Sequence, residues 1–98
     1  MPFIFGRLRV KDLAQWQEEF IAADPMRREY GLTLHAVYRD AVYHNGLIVV
    51  MRCEDLERAH DFYSSDKQRQ RMTTSGIERP AEMWTANEFD FPIEKLKP

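Results

Sequence analysis

The sequence predicts an α+β domain of the ferredoxin-like type, with the element order β-α-β-β-α-β and an antiparallel sheet that carries its helices on one face. Three observations lead to this fold class. Four segments alternate apolar and other residues with a period of two, which predicts strands. The segments between the first and second strands and between the third and fourth strands repeat apolar residues at three- to four-residue steps, which predicts helices. The two middle strands are joined through Asn45-Gly46, which is the strongest short-range hairpin signal. With right-handed crossover connections, this order of elements gives the ferredoxin-like topology.

The first strand and the first helical region occupy residues 3–31. FIFGRLRV, residues 3–10, has one apolar face and predicts a strand. The helix that follows has Asp12 as its N-cap and presents an apolar stripe. Proline removes a backbone donor, so Asp24-Pro25 predicts a restart with Asp24 as the cap. Gly31 is expected to end the second piece.

The second half of the chain repeats the strand and helix patterns. Strands are predicted at residues 33–40 and 47–54, and a helix follows that opens at Glu54 or Asp55. Ser65 and Gln68 have capping-box spacing, which predicts a second short helix that runs to about Ser75. The last strand is expected at residues 81–89.

Alternation along the strands assigns each side chain to one of two sheet faces. The face opposite the helices is too apolar for water and carries charges that could pair across a partner, which predicts a sheet-to-sheet homodimer. The residues assigned to this dimer interface are Phe5, Arg7, Val37, Arg39, Val50, Arg52 and Trp84.

Length and composition place limits on the class of protein. The 98 residues fit a single domain, residues 1–98, with a core at about 3–88 and an apolar tail at 89–98 that is expected to dock at the dimer. The net charge of −2, without a basic block, argues against nucleic-acid binding. A single Cys53, with no signal peptide and no membrane span in the sequence, indicates a cytoplasmic protein.

Aromatic and methionine side chains on the helix-facing side predict a pocket for a flat apolar ligand. The alternative is that the same residues form only the core. By alternation Tyr38 belongs to this set. The candidate ligand-binding residues are Trp16, Phe20, Tyr38, Met51, Phe62, Tyr63 and Met72.

Two histidines are candidate general bases, because imidazole titrates close to neutral pH. His35 is predicted on the dimer face, where the alternative is a structural hydrogen bond. His60 is predicted at the edge of the buried helix face, where the alternative is a partly buried structural histidine. No histidine or cysteine spacing fits a metal site, so no metal is expected. The chain has only four glycines and no glycine-rich phosphate loop, so the residues indicate no cofactor either.

Four segments resemble a known family: VKDLAQW, YRD, LIVVMRCEDLERAHDFYSS and GIERPAEMW. They are similar to the small dimeric α+β barrel proteins, in particular the antibiotic-biosynthesis-monooxygenase-like and cyclase-like branch, over residues 3–86. The resemblance implies two ferredoxin-like protomers with their sheets face to face, and a ligand cleft between the sheet and helices of each. Members of the family include cofactor-free oxygenases acting on polycyclic aromatics, muconolactone-type isomerases and haem-degrading enzymes.

The chain departs from this family at two points. Relatives often carry a histidine on the first strand near the position of Leu8, and the haem-degrading branch uses an asparagine on that strand, which is absent here. The resemblance therefore implies a small-molecule-binding protein that acts as a cofactor-independent monooxygenase, cyclase or isomerase on a small aromatic or polyketide-like compound. The alternative is a non-catalytic homodimeric binding or accessory protein.

Overall fold

The protein is described by a computed structural model that covers residues 1–74, 76–78 and 82–97. Its elements are β1 (Phe3–Arg9), α1 (Leu13–Ala22), α2 (Asp24–Glu29), β2 (Leu32–Arg39), β3 (Gly46–Cys53), α3 (Leu56–Ser64), α4 (Asp66–Thr74), β4 (Glu82–Ala86) and a 3-10 turn, Ile93–Lys95.

The four strands form one antiparallel sheet in the order β2-β3-β1-β4. This order, with helices between β1 and β2 and between β3 and β4, confirms the predicted ferredoxin-like fold. The predicted last residue of the second short helix, Ser75, and the predicted first residue of the last strand, Ala81, lie outside the described residues.

Side-chain caps set the helix starts largely where the sequence indicates. The carboxylate of Asp12 accepts a hydrogen bond from the Gln15 backbone N–H at 3.1 Å, and α1 begins directly after it. Ser65 Oγ accepts from the Gln68 N–H at 3.2 Å and so opens α4. The restart at Asp24-Pro25 is present, but Ala23 is the N-cap of α2, because Asp24 already lies in the first turn.

The β2–β3 hairpin is closed by a side chain at each end of its loop. The Asp40 carboxylate accepts from the backbone N–H groups of Tyr43 at 2.9 Å and Val42 at 2.8 Å, and these bonds hold its pKa below the ordinary value. Asn45 exchanges hydrogen bonds with Val10, through Val10 N–H to the Asn45 carbonyl at 3.0 Å and through Asn45 Nδ2 to the Val10 carbonyl at 2.9 Å. Asn45 therefore ties the hairpin to the end of β1.

A β-bulge in β2 reverses the side-chain alternation halfway along the strand. Leu34 pairs with Met51, but the next paired residue is Ala36, opposite Val50. Directly paired residues of antiparallel strands point to the same face, so His35 and Ala36 both lie opposite the helices. From there onwards every side chain of β2 faces the side opposite to the one that strict alternation predicts.

The core lies between the helices and the side chains of β1 and β3 that face them. Phe62 and Met51 are almost fully buried there, and Trp16 stacks on Phe20 with ring centroids 4.8 Å apart. The free Cys53 is also buried, and burial raises the pKa of its thiol. The main cluster of buried residues comprises Ile4, Leu8, Val10, Trp16, Leu32, Leu47, Val49, Met51, Cys53, Ala59 and Phe62.

Candidate functional site

A cavity of about 250 Å³ lies between the sheet and the helices. Its wall is mostly apolar and combines side chains from β1, β3 and β4 with side chains from α1 to α4 and the short segment after α4. This size is just below the roughly 300 Å³ at which small-molecule pockets commonly begin, so the cavity suits a ligand of one or two rings. The wall residues are Ile4, Gly6, Leu8, Glu19, Phe20, Ala22, Ala23, Arg27, Val49, Met51, Tyr63, Gln68, Arg71, Met72, Ile77 and Met83.

Gly6 leaves the space that the cavity occupies above the sheet. It pairs with Val49 on one side and Met83 on the other, and both of these side chains also line the wall. A Cβ atom built at Gly6 would meet no atom within 4 Å. Gly6 therefore leaves a gap in the row of side chains that β1 presents to the helices, and a larger residue there would project into the cavity.

Arg27 is the most deeply buried charged residue on the wall, with 4% of its surface exposed. Its guanidinium lies 3.7 Å over the Phe20 ring, and one amino group donates to the Phe20 carbonyl. Its Nε is buried without a hydrogen-bond partner among the described residues. A buried donor left unpaired costs about 1–3 kcal/mol, and no described residue offsets this cost at Nε.

The ion pair available to Arg27 is weak. Asp24 Oδ1 lies 3.7 Å from an amino group of Arg27, whereas Asp24 Oδ2 is only 2.8 Å from Nε of Arg28. Burial lowers the pKa of Arg27, and Asp24 and Tyr63 oppose this effect. The guanidinium nevertheless stays protonated at neutral pH. Among the described residues, the charge of Arg27 is therefore only weakly paired.

Tyr63 brings a phenol group to the same wall. Its ring packs edge-on against Phe62 with centroids 5.0 Å apart. Burial raises the pKa of Tyr63 to about 12, although the nearby charge of Arg27 acts in the opposite direction. The hydroxyl group is thus neutral over the physiological range and can donate a hydrogen bond to a ligand.

The structure distributes the predicted ligand-binding residues over three environments. Phe20, Met51, Tyr63 and Met72 lie on the cavity wall. Trp16 and Phe62 are buried in the core and are not among the wall residues. The predicted placement of Tyr38 is wrong: the bulge at His35 pairs Tyr38 with Ile48, on the face opposite the helices, and its side chain is exposed.

Neither predicted catalytic histidine lies on the cavity wall. His35 is exposed on the face opposite the helices, where its ring lies 5.1 Å from that of Phe3 and its Nδ1 accepts from Arg52 Nε at 3.4 Å. His60 is exposed on α3, and its carbonyl and Nε2 contact Ser64 Oγ at 2.7 and 3.4 Å. Within a single chain, the wall therefore has no imidazole among its described residues.

The face opposite the helices, here called the outer face, is apolar and basic. Phe5 and Trp84 stack on it at 5.5 Å with nearly parallel rings, and the Arg7 guanidinium lies 5.9 Å from the Trp84 ring. Val50 and Arg52 lie on this face as predicted from alternation. The placement of Val37 and Arg39 there is wrong, because the bulge pairs them with Val49 and Leu47, on the helix side.

Sequence reasoning did not identify Gly6 and Arg27 as wall residues. A glycine inside a strand pattern is itself a signal of a gap or a close approach, so Gly6 could have been found. Arg27 could not, because it adjoins Arg28 in the same short helix and only the packing decides which of them is buried.

The described residues contain neither a metal-binding cluster nor a membrane-spanning helix. No group of three or more histidine, cysteine, aspartate or glutamate side chains in this part of the chain could hold a metal ion. In the same residues, no helix has the length and apolar character that crossing a membrane requires.

Solved structures of other proteins share this fold. The structure of a single-residue variant of SnoaB, a cofactor-independent oxygenase from Streptomyces nogalater, superposes with a TM-score of 0.69 at 12% identity, over 93% of this chain and 95% of its own. A Bordetella bronchiseptica protein provisionally named an antibiotic biosynthesis monooxygenase superposes with a TM-score of 0.74 at 14% identity. The match covers 90% of this chain and 96% of that protein. Rv0793 from Mycobacterium tuberculosis superposes with a TM-score of 0.64 at 15% identity, over 94% of this chain and 99% of its own.

These similarities establish the ferredoxin-like fold of the single chain. Comparison with protein-family models and with curated proteins gave no match.

Proposed function

We propose that this chain is a homodimeric protein that binds a small, flat, largely apolar molecule between its sheet and helices. We further propose that it acts on this molecule without a bound cofactor, as an oxygenase, cyclase or isomerase. The observation that carries the proposal is the cavity, which is apolar over most of its wall and holds a few polar groups at one side. The similarity to SnoaB, itself a cofactor-independent oxygenase, supports the reaction class.

The polar groups on the wall suit chemistry that passes through an anion. Arg27 and Tyr63 carry donors that would stabilise negative charge developing on a ligand oxygen. Glu19 is the carboxylate among the described wall residues and is the group that would accept a proton from the ligand.

One observation favours the alternative of a non-catalytic binding protein. Both histidines expected to serve as bases are exposed and lie away from the wall. A turnover assay with a bound phenolic or β-dicarbonyl compound separates the two functions, because only an enzyme converts it.

Homodimerisation through the outer face completes the proposal. Trp84 keeps 42% of its surface exposed in a single chain, next to partly buried Phe5. The tail also leaves apolar side chains uncovered, among them Phe89 at 82% and Ile93 at 69% exposed. A second copy of the sheet, with the tail docked against it, would remove this surface from water.

Filling the cavity tests the binding proposal. We expect wild-type protein to bind 2-naphthoate in isothermal titration calorimetry, and Gly6→Val to bind it at least about 10-fold more weakly because the new methyl groups occupy the ligand's space. Valine suits a strand, so the free energy of unfolding should be maintained or should rise.

Thr85→Val is the matched control, since Thr85 lies on the same side of the sheet but not on the wall. It should bind 2-naphthoate like the wild type. Equal affinities for Gly6→Val and wild type, or no binding by the wild type, would contradict the proposed site.

A further inference from the structure

Arg27 is buried in a manner that its own neighbours do not explain. The side chain donates to the Phe20 carbonyl and lies over the Phe20 ring, yet its Nε has no acceptor among the described residues. Buried polar groups in folded proteins are nearly all paired, so a buried unpaired donor calls for a specific reason. Nε itself has no accessible surface for a ligand to reach, but Arg27 lies on the cavity wall, where its weakly paired charge acts on a bound ligand.

The charges around Arg27 favour an anion over a neutral ligand. Arg71 lies on the same wall, and its positive charge destabilises the protonated form of Arg27. The ion-pair partner of Arg27 among the described residues is Asp24, at 3.7 Å, and not the wall carboxylate Glu19. Asp24 is itself bonded more closely to Arg28. A bound anion would relieve the repulsion that remains.

We infer that the buried guanidinium of Arg27 is the anion subsite of this cavity, and that the ligand class is small aromatic acids with one carboxylate. This inference rests on the proposed binding function. A guanidinium interacts more strongly with a carboxylate than with a neutral amide, because the hydrogen bond to the carboxylate is assisted by charge. The Tyr63 hydroxyl, on the same wall, is a second donor to the carboxylate, and the apolar remainder of the wall accommodates the ring.

The test compares two probes of nearly equal shape. We expect wild-type protein to bind 2-naphthoate at least about 10-fold more tightly than 2-naphthamide, as measured by calorimetry. Arg27→Met, which keeps the apolar stem but not the charge, should lose this preference. Arg58→Met is the matched control: Arg58 is exposed on α3 and is not on the wall, so the preference should remain.

The variant Asp24→Asn is expected to change the preference for 2-naphthoate in the direction opposite to Arg27→Met. Asp24→Asn removes the carboxylate that competes for Arg27, so the preference for 2-naphthoate should increase. This increase would not arise from a purely structural role of Arg27, and it keeps the inference testable if Arg27→Met fails to fold. The probe comparison on wild-type protein needs no variant.

The possible outcomes separate the two proposals. Equal binding of the two probes, or a preference that survives in folded Arg27→Met, would overturn the anion subsite and leave the binding cavity in place. Failure of both probes to bind would overturn both proposals. A preference lost in Arg27→Met and strengthened in Asp24→Asn would support both.

Discussion

Trp84→Asp is expected to convert the proposed homodimer to a monomer. Trp84 lies on the outer face, stacked on Phe5, and remains 42% exposed in a single chain, so the substitution should spare the fold of the protomer. In an interface with two-fold symmetry each change occurs twice, and an unpaired carboxylate buried in an apolar interface is strongly unfavourable. We expect dimerisation to weaken by at least about 100-fold, as measured by sedimentation velocity at micromolar concentration.

Thr85→Asp is the matched control for this prediction. It adds the same charge to the neighbouring position of β4 but on the helix side of the sheet, where Thr85 is exposed. This variant should remain a dimer. A wild-type protein that sediments as a monomer, or a Trp84→Asp protein that stays dimeric, would contradict the role assigned to the outer face.

The free energy of unfolding should fall by about 2–3 kcal/mol between roughly pH 10 and pH 12 because of Tyr63. Burial raises the pKa of this group from its ordinary value of 10.0 to about 12 in the folded chain. Within this window the unfolded chain has released a proton that the folded chain still holds, so a rise in pH favours unfolding. The stabilisation is complete below the lower pKa and is lost as the pH passes through the higher one.

Urea denaturation of wild type and Tyr63→Phe across this range measures the effect. Phenylalanine keeps the ring but has no ionisable hydroxyl, so its stability should fall less steeply. The buried Cys53 also has a raised pKa and contributes to the loss in both proteins, so the difference between the two curves isolates Tyr63. Parallel curves would show that Tyr63 ionises as freely in the folded chain as in the unfolded chain.

Much of the fold could be predicted because local pattern and global structure agree. On β1 and β3 the period of two holds without interruption, so the faces of Ile4, Val49 and Met51 followed from the sequence alone. The caps at Asp12 and Ser65 use side-chain chemistry within three residues, which is also visible locally.

The side-chain directions in the second half of β2, after the bulge, could not be predicted in the same way. A bulge adds one residue to one strand only, and the sequence of β2 contains no glycine or proline to mark it. One extra residue was enough to exchange the faces of Val37, Tyr38 and Arg39. The assignment of Tyr38 to the pocket failed for this reason, although its aromatic character was recognised.

The apolar character of the candidate site could be predicted from the sequence, but the identity of its polar groups could not. Apolar residues between sheet and helices can be found from the strand and helix periodicities, and four of those named from sequence lie on the wall: Phe20, Met51, Tyr63 and Met72. The burial of Arg27 depends on how α2 packs against the rest of the chain. Sequence reasoning favoured histidines as reactive groups because of their side-chain chemistry, whereas exposure is a property of the assembled fold.

The most direct test of the central claim, a ligand site between sheet and helices, is methyl NMR of the methionines during titration with 2-naphthoate. The chain has five methionines. Met51, Met72 and Met83 line the cavity, and Met1 and Met26 do not. We predict that the methyl signals of the three wall methionines shift and show contacts to the naphthalene ring, while the other two stay in place. Saturating ligand that leaves all three wall signals unmoved would contradict the claim.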